Sequence, residues 1–66
     1  MVAGWIVEVE DPDGVLLYVA AVKEALVAED LVRSAAGISH EADVRSVRPL
    51  AELPFALSPS EIKGPM

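Results

Sequence analysis

The 66-residue sequence has no cysteine. That excludes disulfides, thiolate zinc sites, iron–sulfur clusters and a cysteine nucleophile. Histidine occurs once, at His40, so a histidine-based metal centre lacks its further ligands. The aromatics are Trp5, Tyr18 and Phe55 alone. The longest unbroken apolar run, Val15–Val22, falls far short of the ~20 residues that span a bilayer as a helix. Glycines stand singly at Gly4, Gly14, Gly37 and Gly64, which leaves no phosphate-cradling loop and no nucleophile elbow. Basic residues are scarce, five against eleven acidic ones, for a net charge of −6. Such a body repels phosphate, so no nucleic-acid partner is expected. Met1–Glu10 lacks the basic opening of a secretory signal and no lipidation pattern occurs, so a cytoplasmic location without membrane attachment is expected.

What is present is apolar: 53% of the residues are hydrophobic, which argues for a folded chain. The length allows one domain, 1–66, divided here into a core over 1–50 and a tail over 51–66. Charge is uneven along it. Residues 1–43 hold nine acids and two bases, whereas 44–66 hold two acids and three bases. A domain this small buries only ~60% of its unfolded surface. Self-association would bury more.

Trp5–Glu10 alternates with period 2, Trp5, Val7 and Val9 against Ile6, Glu8 and Glu10, and reads as a strand with one buried face. Asp11-Pro12-Asp13-Gly14 is a turn sequence, and Val15–Val22 returns as a second strand, completing a hairpin. Both faces of that second strand are apolar, which signals burial on both sides. From Lys23 to Ala36 the period becomes helical, with Val27, Leu31 and Ala35 on one stripe. Glu24 suits the first turn, Glu29 is spaced to pair with Arg33, and Gly37 suits a left-handed C′ position. Ser39–Asp43 is a polar linker. Val44–Leu50 reads as a third strand, with Arg45 and Arg48 on opposite faces and Pro49 marking an end or an edge. Ser58-Pro59-Ser60-Glu61 fits a capping box and predicts one short helical turn through Ile62.

The expected class is therefore α+β: a ββαβ domain with a three-stranded mixed sheet, one helix on one face and an irregular apolar tail. Strand order 2-1-3 is favoured over 1-2-3. One helix covers one sheet face only, so the other face requires the tail or a partner chain.

Few residues suggest chemistry. His40 with Glu41 and Asp43, in the loop Ser39-Asp43, would be the centre of a small ligand- or metal-binding site; a solvated loop after a helix end is the strongly favoured explanation. Ser39, His40 and Asp43 lie too close in sequence to act as a triad. Glu8, Glu10, Asp11 and Asp13 crowd the hairpin end but break the spacing of a calcium-binding loop. No cofactor is implied.

Trp5–Val9, Leu17–Ala21, Leu31–Arg33 and Val47–Leu50 followed by Leu57–Lys63 give the chain a likeness to short uncharacterised bacterial proteins. That resemblance implies no activity and transfers no functional residue. The expected function is a non-enzymatic protein-interaction module. It would form a homo-oligomer, or bind another protein, through the second sheet face or an open edge strand. The expected contact residues are Ile6, Leu16, Tyr18 and Ala20, with Leu53, Phe55 and Leu57 from the tail.

Overall fold

A computed structural model of the chain describes residues 1–54 and 56–66. The elements are β1 (Gly4–Asp11), β2 (Gly14–Ala20), α1 (Ala25–Ala35), β3 (Asp43–Leu50) and β4 (Ile62–Lys63). The strands form one sheet in the order β3-β1-β2-β4. The α+β class and the central place of β1 agree with the sequence reading. Two details differ. The tail supplies a fourth strand, and all three strand pairs are antiparallel, so the sheet is not mixed. β2 and β3 do run the same way, but β1 separates them.

The hairpin forms where the turn sequence sits. Asp11 pairs with Gly14 across Pro12-Asp13, and the Asp11 Oδ1 accepts the Asp13 N–H at 2.8 Å. Lys23 and Glu24, expected in the helix, lie outside it. Trp5 Nε1 donates to the Lys23 carbonyl at 3.1 Å, and Glu24 stays extended as an N-cap without a side-chain bond. The helix ends as expected. Gly37 takes φ 65, and the Ile38 N–H reaches back to the Arg33 carbonyl at 3.0 Å, the six-to-one bond of a Schellman end. Only glycine takes that φ without a Cβ penalty.

Cross-strand partners share a face, so the register sorts the core. Val7 and Val9 pair with Tyr18 and Leu16, and Trp5 with Ala20. On this side Val7, Val9, Tyr18 and Ala20 cluster with Ala28 and Val32 of α1 and with Ala42. Ile62, opposite Ala20, closes that side at the β4 end.

Gly4, Ile6, Leu17 and Val19 lie on the other face. Val19 is 0% exposed yet stands outside the helix-side cluster, so something else covers it. The chain's own tail reaches this face at Gly4. Leu53 Cδ2 sits where it would be 2.5 Å from a Cβ at position 4, directly over Gly4. Leu53 and Leu57 are both half-buried. Beyond them the chain reaches the far rim of β2. There the Ala21 N–H donates to the Glu61 carbonyl (2.9 Å), the Ser60 N–H to the Ala21 carbonyl (3.0 Å) and the Met66 N–H to the Leu17 carbonyl (2.8 Å).

This pairing replaces the short helix expected through Ile62. Half of the capping box is made, since Glu61 Oε1 accepts the Ser58 N–H at 2.6 Å. The segment nevertheless closes as a turn, with Ser60 at φ 66, and leads into β4. A single helical turn is a costly nucleus, whereas the rim of β2 offers backbone groups in want of partners.

The Ser58 backbone bond, joined by the Ser58 side chain, holds the exposed Glu61 carboxyl below its usual range, against a slight opposing effect of burial. A carboxylate with a lowered folded pKa supports the fold above its unfolded pKa and loses that support as pH falls through the folded one. The Ser58 amide proton shift is therefore expected to titrate with Glu61, at a midpoint below that of an unstructured glutamate. NMR titration checks this; a midpoint at the ordinary value contradicts the bond.

Candidate functional site

The surface expected from the sequence is not one surface. Leu16, Tyr18 and Ala20 lie on the helix side, because their β1 partners Val9, Val7 and Trp5 point there. Tyr18 is 5% exposed and Ala20 is buried, so neither is offered to a partner. Ile6 faces the opposite side, paired with Val19 and Arg48, on the face where Leu53 lies over Gly4. Of the named β2 residues only Leu16 stays partly open, at 37%. Phe55 lies outside the described residues.

The loop over 39–43 is organised by α1. Arg33 Nη1 donates to the Ser39 carbonyl (2.9 Å) and Nη2 to the Ala42 carbonyl (3.2 Å), while Ser39 Oγ accepts the Glu41 N–H (3.2 Å). The Glu29–Arg33 pair expected from their spacing is thus replaced, since the Arg33 fork is spent on loop carbonyls. His40 projects into solvent. The loop and the hairpin tip, read separately in the sequence, border one open cleft of about 440 Å³ that brings Glu41 and Asp43 near Glu10, Asp11 and Asp13. Among the described residues, no three His, Asp or Glu side chains are arranged to hold a metal ion.

The open rim of β3 is the third region. In the sheet order β3 has β1 on one side and lies at the sheet's margin on the other. The ladder shifts register between Ile6 and Val7: Ile6 pairs with Arg48 but Val7 with Ser46, which leaves Val47 as the extra residue of a bulge. The bulge flips the following residue. Arg48 therefore joins Arg45 on the tail-covered face instead of opposing it, as strict alternation predicted. Arg45 Nη2 bonds Glu8 Oε1 at 2.6 Å, with Glu10 Oε1 4.0 Å away. The bond to Glu8 and then the charges of Glu8 and Glu10 raise the guanidinium's pKa further. The pair is exposed, and such pairs contribute little to stability.

At Ser46 the rim meets the helix. Ser46 Oγ donates to the Ala25 carbonyl at 2.8 Å, and the Ser46 N–H donates to Glu29 Oε2 at 3.0 Å. That N–H is directed away from β1. Val47 and Leu26, neighbours of these anchored residues, are 49% and 74% exposed. The sequence signalled an edge through Pro49, but nothing in it announced the bulge or the Glu29 contact.

The chain matches no protein-family model, no curated protein and no solved structure. Among the described residues no helix is long and apolar enough to cross a membrane.

Proposed function

We propose that this chain is a small non-enzymatic protein-interaction module whose partner is a second copy of itself, bound along the open rim of β3. The observation that carries the reading is an eight-residue strand at the sheet margin with exposed apolar Val47 on it and exposed Leu26 on the helix beside it. Exposed strand edges template pairing with another chain. The second sheet face, first in the sequence reading, is less favoured because Leu53 of the tail lies over it at Gly4. A two-fold antiparallel pairing centred on Val44 keeps to the regular stretch of the strand and sets Val44 opposite Val44 of the second copy and Ser46 opposite its Ala42. Asp43 then meets Arg45 of the second copy, so opposite charges face each other on both sides of the two-fold axis.

Sedimentation equilibrium over a concentration series tests this. The mass of the wild-type chain is expected to rise from 7.0 kDa toward twice that value. Val47→Asp, a charge placed on the rim at an exposed position, is expected to raise the midpoint concentration by about tenfold or more without altering the thermal melt. A wild-type mass fixed at 7.0 kDa contradicts the reading, and association indifferent to Val47→Asp places the interface elsewhere.

A further inference from the structure

We infer that the Glu29 carboxylate guards the β3 rim, holding the backbone donor that a second copy's strand would use. The inference rests on the edge-pairing reading above and adds the residue that limits it.

Pairing along β3 is already spoiled over its C-terminal half. Val47 is bulged out of register and Pro49 has no N–H to give. The half from Asp43 to Ser46 keeps a regular ladder with Glu10, Val9, Glu8 and Val7 of β1. Ser46 is the last donor of that regular stretch, and its N–H points outward.

Glu29 reaches it because the helix is fixed alongside. The bond from Ser46 Oγ to the Ala25 carbonyl (2.8 Å) anchors the first turn of α1 at this point of the rim, and Glu29 follows one turn later. Its Oε2 then stands 3.0 Å from the Ser46 nitrogen, where the carbonyl of an added strand would lie. Arg33, the natural partner of Glu29 by spacing, is committed to the Ser39 and Ala42 carbonyls. The carboxylate is thereby left to the strand. A charged acceptor bonds an N–H more strongly than the neutral carbonyl that would replace it. The rim is therefore capped from within, by a side chain acting as a surrogate strand.

The test compares the full-length wild type with Glu29→Ala and Glu29→Gln by sedimentation equilibrium, each variant first checked by circular dichroism for an intact fold. Glu29→Ala is expected to associate at concentrations about tenfold lower than the wild type, since its Ser46 N–H is unclaimed. Glu29→Gln, whose amide oxygen still accepts, is expected to stay within about threefold of wild type. A wild type that stays monomeric while Glu29→Ala associates supports the guard and overturns the proposal that the unaltered chain itself pairs along the rim. Equal association of the two overturns the guard alone, leaving the edge reading to Val47→Asp. Two chains that both stay monomeric overturn guard and edge reading together. If Glu29→Ala fails to fold, hydrogen exchange in the wild type decides. The Ser46 amide is expected to exchange as slowly as the amides paired between β1 and β2, and free exchange overturns the guard.

Discussion

Val19→Asn is expected to remove most of the stability of this domain. Val19 is fully buried on the sheet face away from the helix, beside Ile6. The substitution forfeits ~1.5–3 kcal/mol of apolar burial and leaves an amide short of partners at a further ~1–3 kcal/mol. Domains of this size hold only ~3–10 kcal/mol in all. The melting temperature is expected to fall by about 12 °C or more, or the chain to be unfolded at room temperature. Val47→Asn, on the same sheet but exposed, is expected to change stability by no more than ~0.5 kcal/mol. Thermal melts of the two variants side by side make the comparison. If Val19→Asn melts close to wild type, its face is wet and the tail does not cover it.

Gly4→Ala carries the second large effect. A Cβ at this position would lie 2.5 Å from Leu53 Cδ2 and 2.6 Å from the Ala20 carbonyl oxygen. The leucine tip can turn aside. The carbonyl cannot, because Ala20 is held opposite Trp5 in the β1–β2 ladder. Overpacking of this kind costs ~1–3 kcal/mol, and a contact with fixed backbone belongs at the upper end. That corresponds to a drop in melting temperature of about 10–20 °C. Leu53→Ala in the same chain is expected not to restore the loss. A double variant as stable as Leu53→Ala alone would show that the backbone contact is not limiting.

Local chemistry was legible in the sequence wherever it was self-contained. The Asp11–Gly14 turn, the alternation of β1 and the Gly37 stop each depend on neighbouring residues, and each appears, whereas the helix buries Ala28 and Val32 and leaves Val27 and Ala35 of the expected stripe exposed. The doubly apolar second strand signalled burial on both sides, which holds from Tyr18 to Ala20 but not at Val15 and Leu16, which stay exposed. The tail, one of the two covers the pattern allowed, lies over that face at Gly4. What could not be read depends on partners distant in the chain. Ser58–Glu61 carries a helix-start signature, yet Ala21 at the end of β2 claims the backbone of Ser60 and Glu61. Glu29 and Arg33 have the spacing of an ion pair, but Ser46 and the loop carbonyls offer each a better bond. The face assignment of Ile6 against Tyr18 follows from alternation once the register is fixed, and grouping them as one surface ignored it. The Val47 bulge, which brings Arg45 and Arg48 to one side, has no local signature at all.

The central claim is that the C-terminal tail lies on the second sheet face and leaves the β3 rim as the surface offered to a partner. The most direct test is the nuclear Overhauser contact between the Leu53 δ-methyls and the Gly4 α-protons, recorded on a dilute sample of the full-length chain. The structure predicts a strong cross-peak there, accompanied by slow exchange of the Ala21 amide that Glu61 holds at 2.9 Å. No cross-peak to Gly4, with the Ala21 amide exchanging freely, would contradict it and return the apolar face to the list of surfaces open to a partner.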